Sequence, residues 1–234
     1  MFRLYCLLIG YVFGLFQTSY IYGKAHGIDI REHGSGNAGT TNMLRTMGTK
    51  AGLITFAGDV LKTMAAVWLC RLTFGAMYPD QLPVIICYAG LGAILGHNFP
   101  FYLGFKGGKG IACTAGFIFS LDPVMSVLGL TVFFSIFFIT HYVSLGSVMV
   151  YITIFIEFVV FGVLHLLMFK GATDAEVIEC CLIVAFLTAM TIFKHRENIK
   201  RLRNGTEKKT YLKKNKPEIT DLKQEENAGQ TKIK

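Results

Sequence analysis

Charge is scarce in this sequence of 234 residues: Asp, Glu, Lys and Arg together make up 16% of it, against 53% hydrophobic residues. With a mean hydropathy of +0.49, that balance excludes an intrinsically disordered chain and points to one embedded in lipid. The six cysteines, Cys6, Cys70, Cys87, Cys113, Cys180 and Cys181, include no C-x-x-C pair, and no histidine stands at metal-ligand spacing. They imply neither a disulfide framework nor a metal, and they read as small core hydrophobes. No G-x-x-x-x-G-K-[ST] loop can be laid over the sequence, and no histidine is followed four residues later by aspartate. The first apolar run has one preceding charge, Arg3, and no clear small-residue cleavage site, so it reads as a retained membrane helix.

What charge there is sits unevenly. Of the net +8, the segment 195–234 carries +6. That tail has no apolar periodicity, so residues 208–234 are expected to form a basic, disordered end that lies against anionic lipid. Aromatic residues do not interleave with its cations as a base-stacking platform requires, so no nucleic acid is expected as a partner.

A helix crossing about 30 Å of hydrocarbon needs about 20 mostly apolar residues. Leu4–Tyr22, Ala51–Leu72, Pro83–Leu103, Pro123–Thr140, Leu145–Phe169 and Val177–Phe193 meet or approach that length, and Gly110–Leu121 supplies a short seventh span. The expected fold is an all-α, polytopic membrane helix bundle of about seven transmembrane helices. With seven crossings, Lys24, Arg31, Arg45, Lys50, Lys106, Lys109 and the tail share one side, which the positive-inside rule makes cytoplasmic. The N-terminus is then outside, and the protein is a multi-pass component of the cell membrane.

Three polar blocks fall on the cytoplasmic side. The first runs Gly34-Ser35-Gly36-Asn37-Ala38-Gly39-Thr40-Thr41-Asn42 and then Arg45. It satisfies G-x-G-x-x-G formally, but no strand precedes it, so a dinucleotide site is excluded. Backbone amides freed by glycine, neutral donors and one fixed cation suit a phosphate cradle; a capped turn has the same composition. The second block holds Gly96-His97-Asn98-Phe99-Pro100 and Phe105-Lys106-Gly107-Gly108-Lys109-Gly110. Lysines among glycines let a backbone approach a multiply charged phosphate closely. The third, from His195 to Leu202, places His195, Asn198 and Leu202 on one helix face, with Arg196 and Lys200 turned to water. Within the spans, Asp59 and Lys62 stand three residues apart and can neutralise each other.

Taken together, these blocks resemble the bacterial acyl-phosphate:glycerol-3-phosphate acyltransferase family. The family pattern Ser-Gly-Asn-x-Gly-x-Thr-Asn-x-x-Arg is met by Ser35, Gly36, Asn37, Gly39, Thr41, Asn42 and Arg45. Gly96, His97, Phe99, Pro100 and the run Lys106 to Gly110 meet its second pattern, and His195, Asn198, Ile199 and Arg201 meet its third. The resemblance runs to about Glu207, making 1–207 the catalytic membrane domain. It departs at His141, where the family usually carries Arg or Lys.

The resemblance implies transfer of a fatty acyl group from acyl phosphate to glycerol 3-phosphate, giving lysophosphatidic acid without any cofactor. His195, Asn198 and Ser35 become the expected catalytic residues. Gly36, Asn37, Gly39, Thr41, Asn42, Arg45, His97, Lys106, Gly107, Gly108, Lys109, Gly110 and Ser144 become the expected substrate-binding residues, and none is expected to hold a metal. Membrane lipid and a soluble enzyme that makes acyl phosphate are the implied partners. A multi-span transporter of an organic phosphate is the alternative that the spans and cradles also suit, although no inverted repeat is evident.

Overall fold

A computed structural model describes residues 1–211. The expected disordered tail therefore lies outside the described residues from 212 onward, while Lys208–Tyr211 are seen. Every described helix or turn of regular structure is α or 3-10: α1 (Phe2–Gly14), α2 (Thr18–Ala25), α3 (Thr40–Phe74), α4 (Leu82–Asn98), α5 (Ile111–Ile118), α6 (Pro123–Thr140), α7 (Val143–Val163), α8 (Asp174–Lys194) and α9 (Arg196–Arg203). By length and composition, six stretches can cross a bilayer: Phe2–Ala25, Thr40–Phe74, Pro79–Leu103, Pro123–Thr140, Val143–Val163 and Asp174–Lys194. The stretch expected as a short seventh span holds α5, whose eight residues cover roughly 12 Å, too little to cross a bilayer, and it is not one of these six.

The differences from the expected spans have local causes. The first is broken rather than continuous. Gln17 is fully buried, and its Nε2 donates to the carbonyls of Gly14 (3.4 Å) and His97 (2.8 Å), interrupting the helix between α1 and α2. The freed Phe16 carbonyl is met by Lys62 Nζ at 2.6 Å, since backbone exposed within apolar surroundings must find an internal partner. The second span is longer than its apolar run, because α3 begins at the first glycine block and kinks at Gly48 (φ 85°, ψ −178°), a conformation that favours glycine. The run Leu145–Phe169 stops being helical at Val163, and His165 (φ 48°) and Leu167 (φ 54°) turn the chain so that Phe169 packs back into the core.

Small residues bring α1 and α4 into backbone contact. A Cβ on Gly10 would stand 2.2 Å from the Ala89 carbonyl oxygen, one on Gly14 2.3 Å from that of Ala93, and one on Gly96 2.2 Å from that of Tyr11. Lipid tails are as apolar as leucine, so close packing of this kind, rather than escape from water, is what holds membrane helices together. At one end of the bundle Arg3 Nε and Nη2 grip Glu179 at 2.7 and 2.8 Å, tying α1 to α8, and Tyr88 Oη joins at 2.8 Å. All six cysteines are free, and all but the half-buried Cys181 are buried.

The predicted polar blocks gather at the other end, because the starts of α3 and α7 and the ends of α4 and α8 all lie there. The seven described residues that follow α9 and its cap turn back over this end: Gly205 has φ 67°, and the Thr210 amide donates to the His141 carbonyl at 2.9 Å.

Candidate active site

The first loop is a small self-contained fold. Asp29 accepts from the Arg31 amide and, through both oxygens, from its guanidinium at 3.0 and 2.7 Å. The bonded guanidinium holds this carboxyl well below the usual carboxylate range, against burial. Asn42 is buried; its Nδ2 donates to the carbonyls of Ile30 (3.1 Å) and His33 (2.9 Å), and its Oδ1 accepts from the Ser35 amide at 2.9 Å. Its amide is thus engaged in shaping the loop. Ser35 and Gly36 are exposed, Asn37 and Thr41 half-buried, and Gly39 is buried just ahead of α3.

The second loop is held from behind by backbone. The Gly107 amide donates to the Asn98 carbonyl (3.3 Å) and that of Gly108 to the His97 carbonyl (3.2 Å). Side chains have no room: a Cβ on Gly107 would meet the His97 oxygen at 2.0 Å, and one on Gly108 would meet His97 Nε2 at 2.1 Å and the Ala38 oxygen at 2.8 Å. Gly108 is therefore where the two glycine loops touch. Lys194 Nζ clamps the same seam, donating to the carbonyls of Asn98 and Gly108 at 3.2 Å each while lying 4.3 Å over the Phe99 ring. Gly110 adopts φ 79° ahead of α5, Lys106 is exposed, and Lys109 turns inward.

The third block closes the arrangement. Lys109 Nζ donates to Asn198 Oδ1, and Asn198 Nδ2 donates to Glu207 Oε1 at 2.7 Å. That chain admits one orientation of the amide, because an ammonium only donates and a carboxylate only accepts. Glu207 also accepts from Ser144 Oγ at 2.8 Å and from Arg201 Nε at 2.7 Å. Burial raises the affinity of Glu207 for a proton, but the bonds from Asn198, Arg201 and Ser144 outweigh it and hold the carboxyl below its ordinary range. For Lys109, burial and then Arg201 push the ammonium down to about 8.

Arg45 reaches the same place, its Nη2 donating to the Lys208 carbonyl (2.8 Å) and Thr210 Oγ1 (2.7 Å). His195 is 3% exposed and its Nδ1 lies 2.9 Å from the Thr191 carbonyl. A carbonyl can only accept, so Nδ1 carries the proton and Nε2 presents a lone pair. Burial, then Lys109, lowers this imidazole to about 4, so it is neutral at physiological pH.

Of the predicted residues, Lys109, Ser144 and Asn198 join one network, with Arg45 in charge contact with its Glu207 and Arg201 and His195 one turn away. Among the described residues, no side-chain hydrogen bond joins Ser35, Asn37, Thr41 or Lys106 to it. Glu207, Thr210 and Lys194 were not foreseen. The Asn204-Gly205 pair marks the end of α9, but nothing in sequence signalled the return of the chain or Lys194. An open groove of about 770 Å³ on the outer side of the α8–α9 elbow, lined by Ile192, Phe193, Arg196, Lys200 and Arg203 among others, includes none of the predicted site residues.

Asp59, His97 and Cys113 are the one cluster of metal-ligating side chains among the described residues, their donor atoms within 4.8 Å of one another. An ammonium already fills the space, since Lys62 Nζ is 2.7 Å from Asp59 Oδ1 and 3.0 Å from His97 Nδ1.

Known proteins share this architecture. The profile of the family described as glycerol-3-phosphate acyltransferase matches residues 4–205. A glycerol-3-phosphate acyltransferase of Clostridioides difficile (strain 630) is 42% identical over 212 residues, covering 88% of this chain and 95% of its own. One from Bacillus subtilis (strain 168) is 39% identical over 206 residues, covering 87% and 95%. Among solved structures, the glycerol 3-phosphate form of PlsY (YgiH), an integral membrane glycerol 3-phosphate acyltransferase, superposes with a TM-score of 0.75 at 31% identity, covering 89% of this chain and 96% of that one. The lysophosphatidic acid form of PlsY gives 0.72 at 30% identity, covering 90% and 96%. Agreement of profile, relatives and fold over most of the chain places it in the glycerol-3-phosphate acyltransferase family of integral membrane enzymes.

Proposed function

We propose that the enzyme takes its acyl group from acyl phosphate and releases lysophosphatidic acid and inorganic phosphate. The observation that carries this reading is the convergence of Arg45, Lys109 and Arg201 around one hydrogen-bonded line from Lys109 through Asn198 to Glu207, beside an imidazole with a free lone pair. Acyl phosphate is a mixed anhydride with a good leaving group. The enzyme has mainly to hold two anions together and steady the oxyanion that forms.

In this scheme the glycerol hydroxyl donates to His195 Nε2 and attacks the acyl carbon. The C–O bond to phosphate breaks, and the hydroxyl proton ends on the departing phosphate. A ring lowered to about 4 orients a hydroxyl better than it stores a proton, whereas the departing inorganic phosphate is the stronger base and takes it. Lys109, Lys106 and the amides of Gly107 and Gly108 hold one phosphate, with Gly110 setting the turn. Arg45, Ser35 and the amides from Gly36 to Gly39, with Asn37, Thr41 and Asn42 shaping the loop, serve the other.

The basic loops support a site on the cytoplasmic face of a bacterial plasma membrane, with the N-terminus outside. A soluble enzyme making acyl phosphate is the partner such a site requires. The bundle with its catalytic end occupies residues 1–207, and the basic segment 208–234 continues from it.

Purified enzyme in detergent tests the donor. Lysophosphatidic acid should form from glycerol 3-phosphate with acyl phosphate, and not with acyl-CoA or acyl carrier protein; formation from either of the latter alone would overturn the assignment. His195→Ala should lower kcat more than His195→Gln, and near-wild-type kcat in both would remove His195 from the mechanism.

A further inference from the structure

Lys62 lies well inside α3, and the mechanism above does not use it. Its Nζ is nevertheless bound on three sides: Phe16 oxygen at 2.6 Å, Asp59 Oδ1 at 2.7 Å and His97 Nδ1 at 3.0 Å. Thr18 Oγ1 also donates to Asp59 Oδ1 at 3.1 Å, and Asp59 Oδ2 is buried without a partner. A neutral amine here would leave the Asp59 carboxylate uncompensated in apolar surroundings, which costs far more than an ammonium–carboxylate pair. An ammonium has three N–H groups and no acceptor, so the third contact requires a lone pair on His97 Nδ1. The proton of a neutral imidazole is then on Nε2.

That nitrogen is the one placed at the seam of the two glycine loops. A Cβ on Gly108 would lie 2.1 Å from His97 Nε2 and 2.8 Å from the Ala38 oxygen. The histidine is 3% exposed, yet among the described residues its Nε2 makes no hydrogen bond. It faces the point where the two glycine loops meet. Its own carbonyl supports both neighbours, accepting from Gln17 Nε2 at 2.8 Å and from the Gly108 amide at 3.2 Å.

We propose that His97, fixed by Lys62 as the Nε2–H form, donates to a substrate phosphate at the seam between the loops, and that Lys62 is a positioning residue acting through it. The proposal rests on the reading of the site as one that binds two phosphates. It assigns a role in binding to an ion pair that would otherwise serve only the packing of α3.

The test is carried out on detergent-solubilised enzyme labelled with ¹⁵N-histidine. The His97 signals are identified as those lost in His97→Gln. Wild type should show a protonated Nε2 and an unprotonated Nδ1, and inorganic phosphate or glycerol 3-phosphate should shift the Nε2–H resonance. A protonated Nδ1, or no shift with either anion, overturns the proposal.

Kinetics supply the second arm. The paired change Asp59→Asn with Lys62→Met strands no charge and should raise KM about tenfold for one substrate, the size expected for a lost bond to a charged group, with kcat little changed. His97→Phe should do the same, while His97→Gln, which keeps a donor, should recover KM. Which substrate responds, acyl phosphate or glycerol 3-phosphate, identifies the phosphate concerned. Unchanged KM values for both in an active His97→Phe enzyme refute the assignment. Should wild type form no lysophosphatidic acid, the acyl-transfer reading fails instead, and the resonance titration still decides for or against the phosphate contact.

Discussion

Replacing Asn198 by Asp changes one atom of the side chain and inverts one interaction. The Nδ2 that donates to Glu207 Oε1 across 2.7 Å becomes a carboxylate oxygen facing another. At an effective dielectric of about 20, two unit charges at such a separation repel by roughly 6 kcal/mol. The new attraction between Asp and Lys109 is of comparable size and offsets most of this. What remains uncompensated is one lost hydrogen bond to a charged group, about 1.5 to 3 kcal/mol.

If that loss is felt in the transition state, kcat/KM for glycerol 3-phosphate at pH 7.5 falls by about 10- to 150-fold. Two adjoining carboxylates also share a proton more readily than either alone. The ratio of variant to wild-type kcat/KM should therefore rise as pH falls from 7.5 toward 5.5, because the bridging proton restores a donor. The assay is lysophosphatidic acid formation across that range, with size-exclusion profiles confirming that the variant is folded. A variant within threefold of wild type at pH 7.5, or a ratio that does not change with pH, would refute the claim that an ionised Glu207 is anchored by the Asn198 amide.

Two further outcomes follow from the same geometry. Lys109 is held near 8 by burial and by Arg201, and its protonated form is the productive one; kcat/KM should therefore decline as pH rises through about 8 in wild type but stay level to higher pH in Lys109→Arg. Superimposable profiles would show that Lys109 is not the group titrating. At the α1–α4 seam, Gly96→Ala puts a Cβ 2.2 Å from the Tyr11 oxygen, an overpacking worth about 1 to 3 kcal/mol. It should lower Tm in detergent by several degrees, whereas Gly129→Ala, whose Cβ meets nothing closer than 3.7 Å, should not. Equal Tm values would mean that the seam yields without cost.

The spans were legible because a bilayer demands long apolar runs, and Pro123–Thr140 is read from the sequence at the same limits as the helix α6. The break at Gln17 was not legible. A glutamine inside an apolar run is ambiguous until its partner is known, and that partner, the His97 carbonyl, is 80 residues away. The ion pair of Asp59 with Lys62 was readable from spacing alone, but its third member came from another helix. In the site, residue types at short spacing announced Arg45, Lys109 and Asn198. Glu207 stayed hidden because its significance depends on Ser144, 63 residues earlier, and on a chain reversal that a helix pattern does not specify.

The backbone seam between α1 and α4 also has a consequence for biogenesis. During synthesis the first helix enters the bilayer long before its partner exists, and a face of glycines gives lipid little to grip. Its close backbone packing is completed when α4 arrives, and the same event delivers the His97 carbonyl to Gln17. The helix that docks last along this seam thus sets the carbonyl on which the second glycine loop is built. A chain whose first helix has not docked lacks a properly placed loop, and catalytic competence then reports completed assembly.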